Sequence, residues 1–99
     1  METRRSITPE EVRRRIEAGE KLTIIDVRED EEVAQGMIPG AKHIVMYTIP
    51  DRLDEIPKDT EVILVCRSGN RSGRVYDFLE MQGYTKTYNM VGDMLAWEN

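Results

Sequence analysis

Cysteine and histidine each occur once in these 99 residues, tryptophan and phenylalanine once each, and proline four times. One cysteine cannot close an internal disulfide, and one Cys with one His cannot supply the ligand set of a structural zinc site. No apolar run approaches the roughly 20 residues of a membrane span, and Met1-Glu2-Thr3-Arg4-Arg5 has no apolar stretch behind it as a signal segment would. A surplus of positive charge is missing too. Fourteen Lys and Arg stand against 19 Asp and Glu, a net charge of −5, which argues against nucleic acid or an anionic membrane as the main partner. The expected setting is a reducing cytoplasm. Repeats, low-complexity tracts and linkers are absent. With 39% hydrophobic and 33% charged residues, the chain has the composition of one ordinary domain spanning 1–99.

What is present concentrates in one stretch, residues 62–74. Val62-Ile63-Leu64-Val65 is a short apolar run, three of its four residues β-branched, and reads as a fully buried strand. The only cysteine, Cys66, follows at once, then the polar loop Arg67-Ser68-Gly69-Asn70-Arg71, then a helical pattern from about Ser72. Val75, Phe78, Leu79 and Gln82 recur at helical spacing, and Gly83 suits the position just past a helix end. The crevice beyond the carboxyl ends of the strands is where open α/β sheets place their chemistry. Unsatisfied N–H groups and the macrodipole make a helix N-terminus partially positive, and Arg67, Arg71 and Arg74 add three full charges with no acid between Glu61 and Asp77. Helix termini and cations together are what make a cysteine thiolate-prone and reactive. A buried, inert cysteine closing a strand is the alternative.

The remaining elements are legible in outline. Ser6-Ile7 is a candidate first strand, and Thr8-Pro9-Glu10-Glu11 a capping box with proline at the first helical position. The helix it opens turns Val12 and Ile16 inward and ends at Gly19, with Arg13 to Arg15 on a solvated face. Leu22 to Val27 is a second buried strand, closed by Asp26 and Arg28, which read as a structural ion pair. Glu29-Asp30-Glu31-Glu32 starts a short helix and lacks metal-ligand spacing. His43-Ile44-Val45 is a third strand, with nothing tying His43 to Cys66. A short helix is expected between Ile49-Pro50 and Ile56-Pro57, a last strand over Thr85 to Asn89, and a final helical turn carrying Met94, Leu95 and a core-packed Trp97.

Cys66-Arg67-Ser68-Gly69-Asn70-Arg71-Ser72 resembles the active-site loop of rhodanese-like sulfurtransferases, C-R-x-G-x-R followed by Ser or Thr. Three further stretches agree in the family's order. Ile25-Asp26-Val27-Arg28 is similar to its I-D-V-R strand end, Gly36-Met37-Ile38-Pro39-Gly40-Ala41 to its G-H-I-P-G-A turn, and Asn89-Met90-Val91-Gly92-Asp93 with Trp97 to its closing N-x-x-G-G…W segment. The resemblance covers about residues 6–98. It implies a rhodanese-like α/β domain: a five-stranded, mainly parallel sheet with helices on both faces, consistent with the alternation of strands and helices.

It also implies a chemistry. Cys66 would take the outer sulfur of a small anionic donor such as thiosulfate, become a persulfide with no other cofactor, and pass the sulfur to cyanide, an external thiol or a protein acceptor. Arg67, Ser68, Gly69, Asn70, Arg71 and Ser72 would form the anion-binding loop, while Asp26 and Arg28 would support the site floor. Cysteine-dependent phosphatases and arsenate reductases are rivals, but their loop has five residues between Cys and Arg, and here there are four. A non-catalytic binding or regulatory module is the other alternative, although such modules commonly lack the cysteine. Met37 stands where the family usually has His, and Asp93 replaces the second Gly of the G-G pair. Facing outward, Asp93 would cap the last helix, the expected role; facing the pocket, it would repel thiosulfate.

Overall fold

The structure is a computed structural model that describes residues 4–67 and 70–97. Its strands are Ser6–Ile7 (β1), Thr23–Asp26 (β2), Lys42–His43 (β3), Val62–Val65 (β4) and Thr87–Met90 (β5). Its α-helices are Pro9–Glu17 (α1), Asp30–Val33 (α2), Asn70–Met81 (α3) and Asp93–Trp97 (α4). The sheet order is β1-β5-β4-β2-β3, and every pairing is parallel. This is the five-stranded α/β sheet expected, wholly rather than mainly parallel.

Parallel sheets are covered on both faces, so a central strand is apolar throughout and alternate residues serve opposite layers. Along β4, Val62 and Leu64 pack with Val75, Tyr76 and Leu79 of α3, and Ile63 and Val65 pack with Val12 of α1 and Met94 of α4. The alternation continues past the strand end. It puts Cys66 on the α3 side, in the same cluster as Leu64 and Val75.

Local signals shape the boundaries. Thr8 Oγ1 accepts from the Glu11 amide at 3.1 Å, but the Glu11 carboxylate bonds Arg14 instead of completing the box. Gly19 and Gly83 follow α1 and α3 with φ of 89° and 92°, the left-handed geometry that ends a helix. Helix α3 begins two residues before the expected Ser72. The single helix expected between Pro50 and Pro57 is instead two 3-10 segments, Met46–Asp51 and Leu53–Glu55. Pro50 offers no N–H to an α-helical ladder, and short i→i+3 turns tolerate that. The last strand lies two residues later at its start than expected, because Thr87 is the residue that pairs with Val62.

Candidate active site

Cys66 is fixed at the carboxyl end of β4 through both of its backbone groups. Its N–H donates to Asp93 Oδ1 at 2.8 Å, and its carbonyl accepts from the Met94 amide at 3.0 Å. The next carbonyl, that of Arg67, accepts from Leu95 N at 3.2 Å. The first turn of α4 therefore extends the ladder that β4 leaves off. The thiol lies toward α3, with Sγ 3.4 Å from Ser72 Oγ in the first turns of that helix, and also bonds the Asp93 carboxylate. Cys66 is only 1% exposed, so the sulfur sits at the bottom of the site. Ser68 and Gly69, expected in the anion-binding loop, and the side chain of Asn70 lie outside the described residues.

Asp93 is turned inward, not outward as a helix cap, which corrects the expected orientation. It is 0% exposed, and its φ of 51° makes it the one non-glycine left-handed residue among those described. Gly92 before it has a φ of 75°, and a Cβ there would meet Ala96 Cβ at 2.6 Å, so only glycine fits. Two successive left-handed residues reverse the chain between β5 and α4 and swing the Asp93 side chain beneath Cys66. Asp tolerates this conformation better than most residues. Oδ1 receives the Cys66 amide and lies 3.4 Å from Ser72 Oγ, while Oδ2 is buried with no hydrogen-bond partner. Burial pushes this carboxyl up to about 6, against the pull of the Cys66 N–H, the Ser72 hydroxyl and the Cys66 thiol, and the negative charge of Asp26 adds to the rise.

Asp26 and Arg28 form a buried pair at the end of the neighbouring strand β2. Arg28 Nε donates at 2.9 Å to Oδ1 and Nη2 at 2.8 Å to Oδ2, and Nη2 also reaches the Gly36 carbonyl at 2.7 Å. The pair ties β2 to the turn after α2, a scaffolding placement. His43 joins it from β3, with Nε2 2.6 Å from the Arg28 carbonyl.

The three cations after Cys66 do not share one pocket, contrary to the picture of a purely cationic loop. Arg71 is engaged by Glu32 of α2, Nη1 to Oε1 at 2.6 Å and Nη2 to Oε2 at 2.9 Å. The Arg71 guanidinium holds the Glu32 carboxyl down at about 2. Glu32 Oε1 also accepts from the Glu29 amide at 2.8 Å, so α2 and α3 are braced across the site. Exposed Arg67 lines a cavity of about 340 Å3 with Arg28, Glu32, Gln35, Met94 and Leu95. Arg74 lines a separate, mostly apolar groove with Met46, Ile49 and Phe78. Glu32 and the inward Asp93 are the site residues that sequence reasoning missed. Nothing in a 39-residue separation announces the first; the left-handed turn implied by Gly92 was the only signal for the second. Among the described residues no group of three or more His, Cys, Asp or Glu could hold a metal ion, and no helix is long and apolar enough to cross a membrane.

Over 94 residues the chain is 50% identical to the candidate sulfurtransferase YtwF of Bacillus subtilis, covering 95% of this chain and 90% of that one. It is 42% identical to a sulfurtransferase of Allochromatium vinosum over 91 residues, 92% of this chain and 85% of the relative. The crystal structure of a rhodanese-like domain protein from Staphylococcus aureus superposes with a TM-score of 0.88 at 42% identity, covering 94% of this chain and 90% of that one. Residues 8–99 match the profile of the rhodanese-like domain family, and the chain belongs to that family.

Proposed function

We propose that this chain is a sulfurtransferase that moves a sulfane sulfur from thiosulfate or a persulfide donor to a thiophilic acceptor through a persulfide on Cys66. The observation that carries the reading is the placement of the only cysteine: at the carboxyl end of the central strand, its backbone held on both sides by α4, its thiol against the first turns of α3. Sulfurtransferase is also the activity in the names of the Allochromatium relative and of the Pseudomonas aeruginosa thiosulfate sulfurtransferase GlpE, the latter 29% identical over 98 residues.

The Cys66 thiolate attacks the outer sulfur of the donor. A Cys66–S bond forms, the donor's S–S bond breaks, and its electron pair leaves with sulfite or with a thiolate. The enzyme-bound persulfide is a covalent intermediate that divides the transfer into two displacements. A thiol 1% exposed is reached only by the narrow tip of a donor, and a terminal sulfur is such a tip. Arg67, exposed at the rim of the cavity, draws the anionic donor in. Arg71, with both Nη atoms on Glu32, holds α3 in place and so positions Ser72 against the sulfur. Amide groups at the head of α3 cradle the terminal sulfur anion, as donors do in an oxyanion hole. An external thiol, cyanide or a protein cysteine then removes the sulfur, since the chain has no second cysteine to receive it. The cycle needs no bound cofactor, and its setting is cytoplasmic.

Incubation with excess thiosulfate followed by intact mass measurement tests this. The chain should gain the mass of one sulfur atom and lose it on adding cyanide, with ping-pong kinetics at steady state. Cys66→Ser should gain nothing. Retained loading in that variant overturns the nucleophile, and a native chain that never loads points to a binding module instead.

A further inference from the structure

Of three acidic side chains described at this end of the sheet, two have a guanidinium partner. Asp26 is held by Arg28 and Glu32 by Arg71. Asp93 has none: Oδ1 accepts from the Cys66 amide and lies near the Ser72 hydroxyl, the Cys66 thiol also bonds the carboxylate, and Oδ2 is buried without a hydrogen-bond partner. It also stands in a left-handed conformation where glycine would be the unstrained choice. A non-glycine residue kept in such a conformation, fully buried, beneath the reacting sulfur's own backbone is an outlier that asks for a function.

We infer that Asp93 selects against doubly charged sulfur donors, so that the donor used at neutral pH carries one negative charge or none, as a persulfide of an organic thiol does, rather than two as thiosulfate does. The inference rests on the sulfur-transfer reading above and narrows its substrate class. An ionised carboxylate in a site of low dielectric repels a dianion more than a monoanion, and burial leaves that repulsion poorly screened. It also occupies the Cys66 N–H, a donor that would otherwise favour an arriving anion. Protonated, the carboxyl is neutral and the discrimination disappears. The charged and titratable groups facing it are few. They are Cys66 at the end of β4, the hydroxyl of Ser72 on α3, and Asp26 of β2, itself held by Arg28. Asp26 adds negative potential to that of Asp93.

Two donors of nearly the same shape separate the effect from everything else. Thiosulfate and the methanethiosulfonate anion differ by one oxygen exchanged for a methyl group, and so by one unit of charge. Both yield the same Cys66 persulfide, releasing sulfite or methanesulfinate with the electron pair of the broken S–S bond. Ionisation of Cys66 affects both donors alike and cancels in the ratio of their kcat/KM values. In the native chain the ratio of thiosulfate to methanethiosulfonate should rise on the order of tenfold as pH falls from about 8 to about 5, one charge–charge interaction of moderate strength. Its midpoint should lie near 6, where the Asp93 carboxyl titrates. Asp93→Asn should give the high ratio at every pH, with a flat profile. Asp93→Gly, which suits the backbone conformation, should do the same and guards against a misfolded amide variant. A flat ratio in the native chain, or a sloping one that survives both substitutions, overturns the selection while leaving sulfur transfer intact. If neither donor loads Cys66 at any pH, both this inference and the sulfur-transfer reading fall.

Discussion

Two buried aspartates sit on either side of the end of β4, Asp26 at 1% and Asp93 at 0% exposure, and they are treated in opposite ways. Asp26 accepts from a guanidinium that grips both of its oxygens and from the Arg28 amide at 3.1 Å. Asp93 has the Cys66 amide and thiol, a distant hydroxyl and an empty oxygen, and no cation among the described residues. The first carboxylate is compensated and therefore serves as scaffold; the second is uncompensated and therefore responds to its surroundings. The site is thus built from acids of both kinds, one for rigidity and one for tuning.

The largest test strikes the compensated member. Asp26→Asn leaves Arg28 buried with a neutral partner, and removing one member of a buried ion pair costs roughly 3–5 kcal/mol. Urea unfolding should show that loss, and the turn at Gly36, which Arg28 also holds, should loosen in hydrogen exchange. A loss below about 1 kcal/mol would put the pair in the class of surface bridges and erase the contrast with Asp93.

Asp93→Asn should do the reverse. Unfolded, this carboxyl titrates near 3.8; folded, near 6. A folded-state value above the unfolded one favours the native chain fully below about 3.8 and loses that contribution as pH rises through about 6. The native protein is thus penalised at pH 7 and above, whereas an asparagine that keeps the Cys66 amide bond is not. The variant should exceed the native chain by about 3 kcal/mol near pH 7.5, the advantage shrinking toward pH 4. Denaturant melts at several pH values measure it. An advantage that is constant with pH would mean that backbone strain at this position, not the charge, sets the cost.

Much of this arrangement was legible along the chain, and the reason is locality. Val62–Val65 is apolar on both faces because a central parallel strand must be, and the position of Cys66 just beyond it follows from strand length alone. Thr8, Gly19 and Gly83 mark helix ends through backbone geometry that neighbouring residues decide. The contacts that were misjudged are those made across sequence distance. Arg71 looked free to meet an anion because no acid lies near it in sequence, yet sheet order β4-β2 brings α2 against α3 and delivers Glu32. Asp93 looked like a cap because it opens a helix, and only the paired left-handed turn with Gly92 shows why its side chain goes under the strand instead. The 3-10 segments around Pro50 were misassigned for a third reason: proline punctuates a helix without saying which kind it interrupts.

Glu32 and Arg71 lie between the two aspartates in character, paired like Asp26 but partly open to water. Their side chains are 24% and 26% exposed, so solvent weakens the bidentate bridge, and Glu32→Gln should cost about 1 kcal/mol at neutral pH. Arg71 holds the Glu32 carboxyl at about 2, below the ordinary 4.5, so its stabilising contribution is complete above the latter and is lost as pH falls toward the former. Native and Gln chains should therefore diverge above about pH 4.5 and converge near pH 2, the mirror image of the Asp93 profile. Thermal melts across that window decide it. Convergence would mean that the bridge acts by charge. A gap persisting at pH 2 would assign the loss to the second contact of Glu32, the one with the Glu29 amide that caps α2, and Arg71 would then be free to turn toward the donor after all.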